Sequence, residues 1–376
     1  MFKMKNTYKI LLLIFASVAG TAAIAAGYYF TINYLDELNA ISLATVPNLG
    51  HQRIKAPRQT VKGLYLTAYS ASRPEKVNEI ISLIKQTELN AVIIDVKDYS
   101  GKVLFDSKID LVNELKTDEN RIGSVPRLIR KLHKNGIYVI ARQTVFQDPI
   151  LAKLKPEWAI KAKSGGLWRD NKGLSWVDPT KKEVWEYNLA IAKEAAGLGF
   201  DEINFDYMRF PSDGNMSNVS YSQNGKKLYQ SMSDFYKFLG DGMAVEPVWI
   251  SIDMFGFAME KSGEDDMSIG QRLADAVDNF DYICPMMYPS HYPPGHLGFD
   301  NPAEHPGAVI DNGMKKGLPQ FAGKRAQVRP WLQAFNIGAS YGANNIRAEI
   351  DTVENYSDAG WMLWNASNRY TSAGLK

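Results

Sequence analysis

Three aspartates stand near the ends of short apolar runs that have the length and composition of buried β-strands: Asp95, Asp206 and Asp253. In the run that carries Asp206, the apolar Ile203 and Phe205 alternate with polar residues, so Asp206 is expected on the opposite face. Two carboxyl groups that face one cleft can hydrolyse a glycosidic bond, because one attacks or activates water while the other protonates the leaving oxygen. We therefore predict Asp206 as the nucleophile or base and Asp253 as the general acid, with Asp95 and Asp98 as alternatives for the acid.

Further charged, polar and aromatic residues follow the same runs and their neighbours. On the second run, apolar Val92, Ile94 and Val96 are expected to face outward, which leaves Asp95 and Lys97 on the inner face. Side chains at these positions could bind a substrate or hold the carboxylates in place. The predicted substrate-binding set is Asp95, Lys97, Asp98, Arg142, Arg209, Tyr288, His291, Arg329, Trp331, Gln333 and Trp364.

Structural roles compete with these functional ones. Asp206 and Arg209 could form a structural ion pair at a rim, and Asp253 could be a partner of the same kind. Trp331 and Trp364 could belong to the hydrophobic core, or they could form a platform for the apolar faces of a sugar. The sequence leaves these alternatives open.

Short apolar strands alternate with longer amphipathic stretches along most of the chain, which is typical of βαβ units and a parallel sheet. Eight strands and seven intervening helices account for nearly all of it, so we predict an α/β fold of the closed (β/α)₈ (TIM) barrel type. In such barrels the active site lies at the carboxyl ends of the strands. The predicted strands are 63–69, 91–97, 138–146, 202–210, 249–255, 282–288, 327–333 and 360–365. The predicted helices are 74–87, 124–135, 181–198, one ending near 240, 268–280, 303–316 and 345–357.

Composition excludes several classes of protein. The 43 basic and 41 acidic residues give a net charge of +2, which offers no argument for a nucleic-acid partner. Cys284 is the only cysteine, so an intramolecular disulfide is impossible, and five unpaired histidines give no zinc motif. Phosphate-loop and serine-hydrolase motifs are also missing from the sequence. We therefore predict neither a metal nor a cofactor.

The N-terminus carries a targeting pattern. Lys3, Lys5 and Lys9 precede an uncharged run over residues 10–30, about the length of a bilayer span. Positive charge before the run predicts a cytoplasmic N-terminus and a barrel outside the cytoplasm. We therefore predict a transmembrane helix that acts as an anchor within residues 1–30, a linker over 31–60 and the barrel over 61–376, with cleavage of a signal peptide as the alternative.

Several strings resemble one known family. They are IIDVKD (93–98), GFDEINFDYMRFP (199–211), SIDMFG (251–256), PMMYPSHY (285–292) and RPWLQ (329–333). They resemble a bacterial "putative glycosyl hydrolase" domain family of unknown function, which is distantly similar to α-amylase-like barrels. The resemblance implies an exported or anchored (β/α)₈ barrel with Asp206 at the nucleophile position of strand four. It also implies a general acid on strand five, where amylase-like barrels usually have Glu and this chain has Asp253.

One position departs from the family pattern. The family is expected to carry an acidic residue after RPWLQ, whereas this chain has Ala334. The leading hypothesis is a hydrolase or transglycosylase that acts on a polysaccharide at the cell surface. A catalytically inactive, glycan-binding barrel is the alternative that Ala334 favours, and a barrel enzyme of another class, such as a deacetylase or lyase, is a third hypothesis.

Overall fold

Eight parallel strands close into a barrel in the computed structural model, which describes residues 55–222 and 225–376. Strand β1 pairs with β2 on one side and with β8 on the other, and this second pairing joins the first and last strands of the barrel. The strands are β1 (Val61–Leu66), β2 (Ala91–Lys97), β3 (Tyr138–Thr144), β4 (Glu202–Asp206), β5 (Trp249–Phe255), β6 (Tyr282–Met286), β7 (Gln327–Val328 and Trp331–Gln333) and β8 (Gly360–Trp364). The predicted barrel is therefore confirmed, although several predicted strands extend too far at their carboxyl ends.

Strand β7 is interrupted by Arg329 and Pro330. Proline has no amide hydrogen to donate to a neighbouring strand, so the regular ladder stops there. The Pro330 carbonyl still accepts a hydrogen bond from the Met362 amide at 3.0 Å, and Trp331 resumes the parallel pairing opposite Met286. The break therefore leaves the barrel closed.

Seven helices connect consecutive strands in the part of the chain that the structure describes. They are α1 (Pro74–Lys85), α2 (Val125–His133), α3 (Lys182–Leu198), α4 (Leu228–Met243), α5 (Leu273–Ala276), α6 (Pro306–Gly317) and α7 (Ala343–Glu354). Three further short helices lie in loops, at Ala68–Ala71, Asp110–Leu115 and Pro149–Leu154. Between Lys161–Ala162 and Val219–Ser220, a small antiparallel ribbon joins the loops that follow β3 and β4.

The predicted helix over 268–280 is mostly wrong, because only Leu273–Ala276 is helical. Ser268, the first residue of the predicted helix, has a φ of 58°, and Gly270 has a φ of 80°. Left-handed backbone at these positions forms a turn and cannot continue a right-handed helix. The Ser268 amide donates to the Asp266 carboxylate at 2.9 Å within that turn.

Apolar side chains fill two separate regions. The larger cluster lies between the strands and the helices, and a smaller one fills the barrel interior with residues such as Val61, Ile93 and Met362. At the amino ends of the strands, the Arg58 guanidinium lies over the rings of Trp249 and Tyr282, 4.6 and 5.0 Å from their centroids. This end of the barrel is therefore closed, and the opposite end carries the candidate site.

The predicted membrane anchor lies outside the described residues, as does the predicted linker up to residue 54. No helix within residues 55–222 or 225–376 combines enough length with enough apolar character to cross a bilayer.

Gly360 offers a test of the seam between β1 and β8. Its φ is 90°, and a Cβ atom at this position would lie 1.9 Å from the Val61 carbonyl oxygen. We expect Gly360→Ala to lower the free energy of unfolding by roughly 3 kcal/mol or more, because a backbone clash adds to the left-handed strain. Urea denaturation followed by circular dichroism measures this loss.

Gly123→Ala is the matched control. Gly123 has a similar φ of 73°, but no atom lies within 4 Å of the position of its Cβ. The control should therefore cost only about 1 kcal/mol, the price of left-handed backbone alone. Equal losses in the two variants would contradict a tightly packed seam.

Candidate active site

Arg142 lies at the centre of the site and contacts all three aspartates singled out by the sequence. It projects inward from β3, and its Nη1 donates to Asp95 Oδ1 at 2.7 Å. Its Nη2 donates to Asp206 Oδ2, and its Nε lies 3.8 Å from Asp253 Oδ2. One guanidinium thus joins carboxyl groups from β2, β4 and β5.

The charges around Arg142 fix its own state. Burial by itself would lower the pKa of Arg142, but the negative charges of Asp206 and Asp95 outweigh it and raise the pKa well above its ordinary value. The guanidinium therefore remains a permanent cation between the aspartates.

Asp206 is the last residue of β4, and both of its carboxylate oxygens accept hydrogen bonds. The Tyr207 amide donates to Asp206 Oδ1 at 2.6 Å, and Arg142 donates to Oδ2. Tyr207 has a φ of 54°, a conformation that is uncommon for a residue other than glycine. The turn at Tyr207 ends β4 at Asp206. Asp206 lies two residues after the inward-facing Asn204, so its side chain also faces inward, and it does so at the barrel opening.

Asp253, on the neighbouring strand β5, lies in a different environment. Its Oδ1 accepts hydrogen bonds from Asn204 Nδ2 at 2.8 Å and from Trp331 Nε1 at 2.7 Å. Burial raises the pKa of Asp253 well above its ordinary value, and the nearby negative charge of Asp206 raises it further. The two carboxyl groups therefore lie in different environments. Asp206 contacts a cation directly, whereas the surroundings of Asp253 favour its protonated form.

These groups open into a cavity of about 310 Å³ at the carboxyl ends of the strands. Such a volume lies in the range of small-molecule pockets. A second, largely apolar hollow of about 370 Å³ adjoins it and shares the side chains of Phe255, Met286, Tyr288 and His291. The lining of the first cavity consists of Arg142, Lys172, Asp206, Tyr207, Arg209, Asp253, Phe255, Met286, Tyr288, His291, Trp331 and Trp364.

Eight of the predicted site residues reach this cavity. The predicted catalytic pair and six of the predicted substrate-binding residues are among its lining. These residues are Arg142, Asp206, Arg209, Asp253, Tyr288, His291, Trp331 and Trp364. Partial burial lowers the pKa of His291, which favours its neutral form at the rim.

Asp95 lies behind the cavity wall and supports Arg142. It also accepts a 2.5 Å hydrogen bond from the Tyr65 hydroxyl, and only 2% of its surface is exposed. Burial raises the pKa of Asp95 to about 6. The geometry therefore makes Asp95 a partner of the arginine, without direct access to the cavity.

Lys97 does not face the barrel interior, so that expectation was wrong. The pairing of β2 with β3 shifts by one residue between Asp95 and Lys97, and this irregularity turns Lys97 to the outer face. Its ammonium group is fully buried against the helices, 2.8 Å from Asp148 Oδ2 and 3.0 Å from the Thr144 carbonyl oxygen. Lys97 thus stabilises the loop after β3.

Three further predicted residues do not line the cavity. Asp98 Oδ1 accepts the Ser100 amide hydrogen at 2.9 Å within a turn. Arg329 lies deep in the barrel, where it is fully buried and paired with Glu202. Gln333 Oε1 accepts the Ser290 amide hydrogen at 3.1 Å, which ties β7 to the loop that carries His291.

Arg209 does not pair with Asp206, so the alternative of a structural ion pair between these two residues was wrong, and Asp206 pairs with Arg142. Instead, Arg209 Nη1 donates to the Phe210 carbonyl oxygen at 3.0 Å and to Ser212 Oγ at 3.2 Å.

Ala334 faces a separate hollow, beside Tyr341 and Tyr370. An acidic side chain at this position would therefore lie outside the cavity that contains Asp206 and Asp253. The departure from the family pattern removes no carboxylate from that cavity.

The structure adds residues that the predicted set lacked. Tyr65 and Glu202 lie on the inward face of their strands, and extending the alternation from the strand ends toward their starts would have found them. Lys172 reaches the cavity from the long connection after β3, where no periodic pattern indicates its position. Among the residues that the structure describes, no group of three or more His, Cys, Asp or Glu side chains is arranged to hold a metal ion.

The family model described as "Putative glycosyl hydrolase domain" matches residues 63–370, which include every strand of the barrel except the start of β1. The chain belongs to this family. A comparison with proteins of curated function found no match.

Solved structures similar to this family member include glycoside hydrolases. The PgaB (BpsB) glycoside hydrolase domain from Bordetella bronchiseptica has a TM-score of 0.57 at 13% identity, over 83% of this chain and 95% of that one. An α-L-fucosidase isoenzyme 2 from Paenibacillus thiaminolyticus has a TM-score of 0.55 at 13% identity, over 84% of this chain and 47% of that one. At such identities the likeness supports the barrel fold alone.

Arg142→Gln tests whether the guanidinium stabilises the aspartates. Because the pKa of Asp95 is about 6, folding already binds a proton there, and the free energy of unfolding should fall as the pH rises from about 4 to 6. Removing the cation raises the folded-state pKa values of Asp95 and Asp253 further, because the charge of Arg142 lowers both. We therefore expect a loss of roughly 4 kcal/mol at pH 7 and a smaller loss at pH 4.5, measured by urea denaturation.

Arg130→Gln is the control for this substitution. Arg130 is exposed at the end of α2, so its replacement should change the free energy of unfolding by less than about 0.5 kcal/mol at either pH. A deficit in Arg142→Gln that is the same at both pH values would contradict an electrostatic role.

Proposed function

We propose that this protein is a glycoside hydrolase or transglycosylase that cleaves a polysaccharide by two-carboxylate chemistry. One observation carries the proposal: Asp206 and Asp253 lie on adjacent strands and line one cavity in contrasting environments. Asp206 is bound to a cation and to a backbone amide, whereas burial and the charge of Asp206 favour a proton on Asp253. Such a pair supplies the nucleophile or base and the general acid that glycoside hydrolysis needs. Membership of the family supports the same reading.

The proposed reaction assigns each group a step. Asp253 gives its proton to the glycosidic oxygen as the bond from this oxygen to the anomeric carbon breaks. Asp206 stabilises the positive charge that develops on that carbon, and it either attacks the carbon or takes a proton from the attacking water. The departing proton leaves a negative charge on Asp253, which the hydrogen bonds from Asn204 and Trp331 and the nearby Arg142 cation stabilise.

Aromatic side chains provide a surface for the sugar. Trp364 stacks on Tyr65 with ring centroids 3.9 Å apart and an interplanar angle of 19°, and its edge meets Trp331 at 89°. Both tryptophans line the cavity and hold fixed orientations. Trp331 is almost fully buried, so the partly exposed Trp364 is the indole on which the apolar C–H face of a pyranose ring can pack, while the carboxyl groups face the sugar oxygens.

Asp206→Asn and Asp253→Asn test the assignment. Each change removes a group that acts in the transition state, so kcat should fall by about a thousand-fold or more while glycan binding persists. Release of reducing ends from a panel of cell-wall and capsular polysaccharides measures the first effect, and isothermal titration calorimetry measures the second. Asp234→Asn, at an exposed site on α4, is the matched control and should keep the rate within about two-fold.

Each alternative to this proposal has its own signature in these assays. If the wild-type protein binds a glycan but cleaves none of the panel, it is a glycan-binding barrel. Activity that a chelator abolishes would instead indicate a metal-dependent enzyme of another class.

We also propose that the barrel lies outside the cytoplasm and is anchored by residues 1–30. The support is the order of Lys3, Lys5 and Lys9 before the uncharged run over residues 10–30. Alkaline phosphatase folds only where disulfides form, so its fusion to the C-terminus should be active in a bacterial host. Deletion of residues 1–30 should abolish that activity, and equal activity with and without them would refute the proposal.

A further inference from the structure

Arg209 presents an unused hydrogen-bonding edge to the cavity. Its Nη1 is occupied by the Phe210 carbonyl oxygen and Ser212 Oγ, but Nε and Nη2 donate to no group among residues 55–222 and 225–376. Only 8% of its surface is exposed, and it forms none of the ion pairs within those residues. A guanidinium buried to this extent normally faces a carboxylate or a phosphate.

Aromatic rings fix the orientation of this guanidinium. Its carbon lies 4.6 Å from the ring centroid of Phe255, 5.1 Å from that of Trp176 and 5.3 Å from that of Tyr207. Rings pack against a guanidinium through its flat faces, and its N–H groups lie in the plane between them. Burial lowers the pKa of Arg209, because the nearby negative charges only partly offset the loss of water.

Lys172 adds a second positive charge to the same cavity. Its side chain is exposed, and its ammonium group has no ion-pair partner in the described part of the chain. The aspartates around Arg142 offset the charge of that guanidinium. Arg209 and Lys172 have no ion-pair partner among residues 55–222 and 225–376, so they give their side of the cavity a positive charge, although the whole chain is nearly neutral.

We propose that the glycan bound at this site carries an anionic group, a carboxylate or a phosphate, and that Arg209 binds it through Nε and Nη2 while Lys172 adds a weaker contact. This inference rests on the proposed function of the same cavity and names the class of its substrate. Two parallel N–H groups match the two oxygens of a carboxylate or phosphate, which a lysine at the same position cannot reproduce. The hydroxyl groups of a neutral sugar can accept these hydrogen bonds, but they leave the charge of the guanidinium uncompensated, so the site would favour an anionic group.

The test compares matched glycans. A polysaccharide that contains uronic acids is assayed beside the same polymer after chemical reduction of its carboxylates to hydroxymethyl groups. A polymer of sugars linked by phosphodiesters forms the third arm and distinguishes phosphate from carboxylate. Cleavage is followed by the release of reducing ends, and binding by isothermal titration calorimetry at low salt and in 0.5 M salt. The wild-type protein should favour one anionic polymer over the neutral one by about ten-fold or more in kcat/KM and in affinity.

Four variants assign this preference to particular groups. Arg209→Gln should abolish the preference for the anionic polymer in both kcat/KM and affinity, whereas Arg209→Lys should restore only part of it. Lys172→Gln, at an exposed residue, should reduce the preference by a few-fold without affecting the melting temperature. Ser212→Ala removes only a hydrogen bond to Nη1 and should keep the full preference.

The outcomes separate this inference from the proposed function. Equal cleavage of the anionic and neutral polymers would support the hydrolase proposal but contradict the inference that the substrate is anionic. If no polymer is cleaved, the hydrolase proposal fails, and the binding arm still decides: selective, salt-sensitive binding that Arg209→Gln removes supports an anionic ligand. Equal binding of all three polymers would overturn it.

Discussion

The contact between Arg142 and three aspartates allows three buried carboxyl groups to gather at the barrel mouth. Without a cation, like charges at this distance in a medium of low polarity would repel strongly. Arg142 contacts the two candidate catalytic residues differently, since its Nη2 donates a hydrogen bond to Asp206 whereas its Nε lies 3.8 Å from Asp253 Oδ2. One basic side chain thus gives the two carboxyl groups different surroundings, and this difference separates their roles in the proposed chemistry.

A buried polar network underlies this contact. Glu202 pairs with Arg329 in the barrel interior, and both side chains are fully buried. Ser251 donates to Glu202 at 2.5 Å, and Asn204 donates to Ser251 at 3.1 Å and to Asp253 at 2.8 Å. Polar groups so far from water are stable only when their partners are in place, so the network also fixes the orientation of Asp253.

The barrel fold and the two candidate catalytic residues could be predicted from the sequence, because the two-residue period of a strand assigns each side chain to one face of the sheet. Asp206 and Asp253 lie on the inner face and at the opening, as the alternation indicated. The rule failed at Lys97, because the shift in strand pairing turns this side chain to the opposite face of the sheet. The alternation of apolar and polar residues in the sequence does not indicate this shift. The central position of Arg142 depends on the relative register of four strands, and that of Lys172 on the path of a long loop, so neither could be derived from periodicity.

The first described residues lie against the closed end of the barrel. The Trp249 indole donates to the Ala56 carbonyl oxygen at 2.9 Å, and Arg58 pairs with Asp281 at the start of β6. The polypeptide therefore joins the barrel at the pole opposite its opening. Ala56 and Arg58 lie away from the rim of the cavity, so they leave the cavity open on the side of the strand carboxyl ends.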